Sequence, residues 1–482
     1  MDRFLLFNLL KSNINAVDDL EIRKRLNALI SPLYLYAILC LEDGIEEKFL
    51  ELSFTDKIVA LPGKISGRWS QFYTKRMMKN ARTVLNSKSI HADIVFYPVE
   101  TTHLRQMLPV SNSMPSETYV YITDRFNIYV QVIQSGISCL LIPITPDTQT
   151  KNFDFSRLGE TIIPQQKVSK WEAFCRYQVE TKYSSLEKSI SQALNILRPS
   201  KCVIGYDITP EGRIAVDICN NLNIESVCIQ HGSIAGEPLD GEHVVDSYLL
   251  YGMQAKEYLE GIGNKSASLK VFGAPYLDKE LFESEICKAT LKMLGLNEKQ
   301  KTLLVALSGP GHCTTMDHFN EIVGSLVLFA KNHPSINLIF KLHRKDSIQN
   351  YNRIFKELGH SCPLIDSQDQ RFATDIFYWL NNTDVLITGS STVALEAMLK
   401  ANPVITIDYQ NQYQNIDFIE MGCTYHIDNK EQLEETILKV VANNKPQEKD
   451  PVQINAKNYA DRYFYSESTP TSERIAAWLL SN

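Results

Sequence analysis

The sequence lacks the features that mark a secreted, membrane-spanning or nucleic-acid-binding chain. Its ten cysteines are scattered over 482 residues and none forms CxxC. Neither a disulfide framework nor a cysteine zinc site is therefore expected, and most of these side chains read as small buried hydrophobes in a reducing compartment. No stretch supplies the ~18 uncharged apolar residues of a spanning helix. MDRFLLFNLLKSN at the start has no h-region of useful length followed by a small-residue cleavage site. Basic residues are outnumbered, 49 against 56 acidic, and the net charge of -7 gives no broad footprint for nucleic acid. A local positive site for phosphates stays compatible with that total. GxGxxG is missing, which argues against a nicotinamide dehydrogenase, and so is a Walker A loop. A GxSxG elbow and metal-ligand spacings are missing too. The expectation is a cytoplasmic chain that uses no metal or cofactor. Peripheral contact at the inner face of the cell membrane and the oligomeric state are left open.

What is present is rhythm. Residues 18–50 read as helix, with Leu20, Leu26, Leu29 and Ile30 at helical spacing. Then come short runs rich in Val, Ile and Tyr: 57–63, 92–99, 118–123 and 138–144. A long amphipathic helix is expected over 168–196, and further runs follow at 201–207, 225–232, 246–252 and 268–275. After the charged stretch 276–300, strand-like runs resume at 301–311, 336–343, 383–391 and 402–408. Strands alternating with helices predict α/β units with parallel sheets, and the length predicts more than one domain.

In such sheets ligands bind beyond the carboxyl ends of the strands, which selects a few loops. Gly389-Ser390-Ser391-Thr392 ends one run and opens a helix, where hydroxyls and free N–H groups suit a phosphate. Glu396, one turn inside, suits ribose hydroxyls. His343 ends another run, with Lys345 adding charge beside it, and Gly311 and His312 lie in the loop SGPGHC. In the first half, Asp207 and His231 end two neighbouring runs and are the candidate general bases. Glu237, Asp240, Glu242 and His243 are held in reserve. Each of these also has a structural reading, as cap, surface turn or loop tie.

The segments QHGSIAGEP (230–238), FGAPYLD (272–278), KLHRKD (341–346) and GSSTVALEAMLKANPVI (389–405) resemble bacterial surface-polysaccharide glycosyltransferases of the GT-B architecture. That group includes capsular polysaccharide, poly(glycerol phosphate) and sialyl transferases. More distantly, they resemble the non-hydrolysing UDP-N-acetylglucosamine 2-epimerases. In those epimerases a GDT loop is similar to Gly205-Tyr206-Asp207, and a ribose-gripping carboxylate to Glu396; the His231 loop here lacks an acidic residue that theirs carries.

The resemblance implies two Rossmann-like domains facing a cleft. Residues 1–285 would form an acceptor domain and 286–465 a nucleotide-donor domain, with 466–482 a helix packing back on the first. The implied activity is inverting, metal-independent transfer of a sugar from a CMP-, UDP- or CDP-linked donor. The acceptor would be a hydroxyl of a bacterial surface polysaccharide or lipid-linked glycan. The alternatives are a UDP-sugar 2-epimerase, a CDP-glycerol-type polyol-phosphate transferase, and a non-catalytic carbohydrate- or nucleotide-binding protein.

Overall fold

Near-continuous apolar runs are what a parallel strand buried on both faces requires, and here they become two separate parallel sheets. The structure is a computed structural model. It describes residues 3–41, 92–142, 153–159, 161–232, 234, 238–264, 268–279, 289–310, 314–343, 346–366, 375–412, 416–442 and 450–481. The run at 57–63 lies outside them.

The first compact unit comprises the chain up to Tyr276 together with residues from Ser466 onward. Its strands are β1 (Ile94–Tyr97), β2 (Tyr119–Thr123), β3 (Cys139–Leu141), β4 (Lys201–Ile204), β5 (Glu225–Ile229), β6 (Ser247–Leu250) and β7 (Ser268–Val271). They pair in the order β3-β2-β1-β4-β5-β6-β7. Alternate residues serve opposite faces. Val95, Tyr97, Cys202, Ile204 and Cys228 join a core with the N-terminal helices and Trp171, Leu186 and Ile190. Ile94, Phe96, Val203, Val227 and Ile229 join another with Leu104, Met107, Ile475 and Leu479. The C-terminal helix Thr471–Leu480 is thus part of the cover of one sheet face. Lys201 Nζ, itself buried, donates to the carbonyls of Leu479 (3.0 Å) and Ser481 (2.7 Å) and caps that helix.

The stretch 168–196, expected as a single helix, runs as Val168–Arg176, a π-helical Tyr177–Tyr183 and Ser184–Leu197. Trp171, Cys175, Val179 and Tyr183 are all buried and follow one another in steps of four. An α-helix drifts about 40° per such step; the wider π turn absorbs the drift and keeps the row facing inward.

The second unit is Leu277–Tyr465. It holds β8 (Lys301–Ala306), β9 (Ile336–Lys341), β10 (Leu364–Ile365), β11 (Val385–Thr388), β12 (Val404–Ile407) and β13 (Tyr425–Ile427). Their order, β10-β9-β8-β11-β12-β13, repeats the pattern of the first sheet without its last strand. Leu303, Val305, Leu338, Phe340, Ile387 and Ile405 pack with Phe319, Leu326, Phe355 and Ile437. Both units are Rossmann-like α/β domains. The side on which successive strands are added switches between β1 and β4 and again between β8 and β11, so each sheet opens a crevice at the carboxyl ends of that parallel pair. Among the described residues no helix is long and apolar enough to cross a membrane.

Candidate functional site

In the first unit the loops at the β1/β4 crevice assemble an imidazole cluster. Thr209 caps the helix Pro210–Leu222, whose third residue, Gly212, lies against the β4 loop. A Cβ on Gly212 would sit 2.0 Å from the Tyr206 carbonyl oxygen, so only glycine lets the helix start this close. Gly212→Ala is expected to destabilise the unit by about 1–3 kcal/mol in urea unfolding; an unchanged midpoint would contradict that close approach.

Asp207 is fully buried. Its Oδ1 lies 2.7 Å from His243 Nδ1, and its Oδ2 accepts from the N–H groups of Val244 (2.6 Å) and Val245 (3.2 Å). An ionised carboxylate only accepts, so His243 Nδ1 carries the proton. Burial alone would raise the carboxyl pKa. The His243 charge, its hydrogen bond and the Val244 N–H outweigh burial and hold it below the ordinary value. Both oxygens are engaged in fixing the stretch that leads into β6. Arg213 donates to the Glu242 carbonyl and Lys11 pairs with the Glu242 carboxylate, closing the same loop.

His231, just beyond β5, is half-buried, and its Nδ1 has no hydrogen-bond partner. Its ring stands edge-on to two others, His103 at 4.5 Å between centroids and Tyr206 at 4.4 Å. Burial first and His243 second push its pKa down to about 4, against the pull of Asp207. The ring is therefore neutral at ordinary pH. Beside it Gln230 is buried and structural: its Nε2 donates to the Gly232 carbonyl and its Oε1 accepts from Tyr251 N–H, each at 2.8 Å.

His103 was not legible as a site residue. It lies in the first turn of the helix Thr101–Asn112, directly after β1, and is buried. Its Nδ1 accepts from the N–H groups of Val99 and Glu100, both at 3.3 Å. Burial first and His231 second hold its pKa well below the ordinary imidazole value. The strand order makes this meeting: β1 pairs β4 and β4 pairs β5. Of the reserve group, Asp240 is buried and Glu237 lies outside the described residues.

In the second unit, Gly311, His312 and Lys345 lie outside the described residues. Gly389 is buried behind Ser390 and Ser391, which are half-buried, and Thr392, which is exposed. Ser391 Oγ accepts from Val393 N–H at 3.4 Å and its carbonyl from Ala394 N–H at 3.1 Å, so Ser391 opens the helix Val393–Leu399. Glu396 is buried on that helix. His343 follows β9 and is half-buried; its N–H donates to Asp346 Oδ2 at 3.1 Å, while Asp346 N–H returns to the His343 carbonyl at 2.8 Å. Tyr351 OH donates to the same Oδ2 at 3.1 Å. A Cβ on Gly309 would lie 1.9 Å from Asp346 Oδ1, so the β8 and β9 loops touch through a glycine. Lys341, the last residue of β9, feels the carboxylates of Asp375 and Glu396, and burial lowers its pKa against their pull. His343, Lys341, the Ser390 loop and Glu396 thus share one edge of this sheet, while Lys341 and Asp346 are additions to the set named from sequence. Among the described residues no cluster of three or more His, Cys, Asp or Glu side chains forms a metal-binding group.

Residues 242–477 match the family model described as UDP-N-acetylglucosamine 2-epimerase. No curated protein matches the chain. Among solved structures, S. aureus MnaA with UDP is 12% identical with a TM-score of 0.51, over 80% of this chain and 94% of that one. The Neisseria meningitidis UDP-GlcNAc 2-epimerase bound to UDP-GlcNAc is 14% identical with a TM-score of 0.50, over 81% and 100%. Anabaena HepE with UDP-glucose is 12% identical with a TM-score of 0.51, over 81% and 99%. At such identity the likeness is one of fold, and it agrees with two Rossmann-like domains in a GT-B-like architecture. The glycosyltransferase reading is corrected by these findings: the family matched is that of the epimerase alternative, not of a transferase.

Proposed function

We propose that this chain is a nucleotide-sugar enzyme that inverts carbon 2 of a UDP-linked 2-acetamido sugar. The observation carrying the proposal within the fold is a neutral imidazole, His231, standing with an unpartnered Nδ1 at the carboxyl edge of a Rossmann sheet. The epimerase family match over 242–477 supplies the substrate class.

The chemistry narrows the roles. Carbon 2 of such a sugar has no adjacent carbonyl to acidify its proton. Without an oxidant, that proton can leave only as the bond from carbon 1 to the diphosphate oxygen breaks. The C2–H electron pair becomes a C1=C2 double bond, and UDP departs with the electrons of the C1–O bond. Reversal, with a proton delivered to the other face of carbon 2 and UDP oxygen returning to carbon 1, gives the epimer. The reaction needs a base and an acid at carbon 2 and groups that stabilise the departing diphosphate.

Of the two candidate bases, Asp207 is committed to His243 and the β6 approach, which leaves His231. Asp207 acts through His243 as a positioning group. In the second unit, Ser390, Ser391, Thr392 and His343 are assigned to the diphosphate, as are, from the sequence alone, Gly311, His312 and Lys345. Glu396 is assigned to the ribose and Gly389 to the close backbone approach.

Calorimetry tests the nucleotide half. The double change Ser390→Ala, Ser391→Ala should raise the Kd for UDP about ten-fold or more, as expected for lost hydrogen bonds to a charged group, with only a small drop in melting temperature from the lost Ser391 acceptor. Equal UDP affinity in the two proteins would remove the loop from the site. Proton NMR tests the reaction: UDP-GlcNAc incubated with the protein should give the UDP-linked 2-epimer with no glycan acceptor present. UDP binding with no interconversion would overturn the proposal.

A further inference from the structure

His231 has an unusual support. An acid–base histidine is generally oriented by a hydrogen bond on its second ring nitrogen. His231 Nδ1 has no such bond, and its neighbours are ring edges, His103 at 4.5 Å with planes 82° apart and Tyr206 at 4.4 Å with planes 69° apart. Of the two, His103 is the more firmly anchored. Its Nδ1 accepts two backbone N–H groups from the loop leaving β1, which fixes both the ring and its tautomer, with the proton on Nε2. Gly205 makes room for it: a Cβ there would stand 2.3 Å from His103 Nδ1. The loops beyond β1, β4 and β5 are thus shaped around this one imidazole.

We propose that His103 is a positioning residue for His231: locked to the β1 loop, its ring sets the orientation in which His231 meets the sugar. The proposal rests on the epimerase reading above for its kinetic consequence, though not for its structural one. His103 needs no proton transfer of its own for this role. The groups around the pair are Tyr206, His243 and the Asp207 carboxylate, which is already engaged by His243.

Two variants separate ring from acceptor. His103→Asn keeps an oxygen for the Val99 and Glu100 N–H groups and removes the ring. His103→Phe keeps a ring and removes the acceptor. His103→Asn leaves part of a buried ring's volume empty and should melt somewhat below the wild type, with unchanged UDP affinity. Its kcat for UDP-GlcNAc interconversion should nevertheless fall about 10–100-fold, the cost of a base displaced by roughly 1 Å, with KM little changed. The acid limb of kcat/KM should stay near its wild-type pH, because the titrating base is still His231. His103→Phe should retain more kcat than His103→Asn, at lower melting temperature. Wild-type kcat in His103→Asn would overturn the proposal, as would a loss that moves only with melting or UDP affinity. If the wild-type protein performs no carbon 2 chemistry, the epimerase reading fails while the positioning claim is still decided by histidine 15N spectra. The His231 ring signals, assigned with His231→Ala, should shift in His103→Asn. Unchanged His231 signals would refute the positioning role on their own.

Discussion

Replacing His231 with alanine should lower kcat for UDP-GlcNAc interconversion by about 10²–10⁴-fold, the usual contribution of a positioned base. The Kd for UDP should stay within experimental error, since UDP is assigned to loops of the second unit. Equal losses in kcat and kcat/KM would mark an interaction made only in the transition state. The pH profile carries a second signature. A neutral imidazole is the working form, so activity should fall as pH drops through about 4, where burial and His243 have pushed the His231 pKa. An acid limb near the ordinary imidazole value of about 6.5 would place the base elsewhere. Stability follows the same sign. Between about 4 and the ordinary value the unfolded chain binds the proton that folded His231 refuses. The unfolding free energy must therefore fall as pH falls through that window.

The other large effect is structural. Asp207→Ala removes the partner of a buried imidazole and two backbone N–H groups at once. Each buried donor left without its acceptor costs about 1–3 kcal/mol, and with three such donors urea unfolding of the first unit should show a loss of about 3 kcal/mol or more. Asp207→Asn should recover part of it, because its oxygen can still accept from Val244 and Val245 N–H while its amide offers His243 the wrong polarity. The native carboxyl is held below its ordinary range, so its stabilising contribution is present above that range. That contribution is lost as acid carries the pH down through the folded value. A wild-type unfolding midpoint in Asp207→Ala would show that the buried pair carries no net stability.

The strands buried on both faces were legible because burial leaves them nearly all apolar, as in IVFY of β1 and VLIT of β11. The strands that escaped notice, β10 and β13, are sheet edges of two and three residues. They pair on one side only, and YHI of β13 carries a polar centre, so neither length nor periodicity distinguishes them from loops. The loops beyond β4, β5 and β11 were also legible, because glycine and hydroxyl residues cluster where a strand ends, and the loop beyond β9 because a histidine and basic residues follow its strand.

His103 was hidden for a different reason. Its importance is a property of strand order, which brings residue 103 against 205 and 231, and no local pattern encodes that meeting. Asp207 illustrates the reverse case. Its type and place suit a general base, yet its two oxygens are spent on partners 36 to 38 residues away. The reaction was misread because transferases and epimerases of this fold share the same sheet-edge loops. A fold of this kind hosts more than one chemistry, and likeness of loops does not fix which one.

Solvent exchange tests the central claim most directly. UDP-GlcNAc incubated with the protein in D2O should acquire deuterium at carbon 2 in both epimers, at a rate abolished by His231→Ala. Retention of the original proton at carbon 2 in the presence of protein that binds UDP would contradict the account.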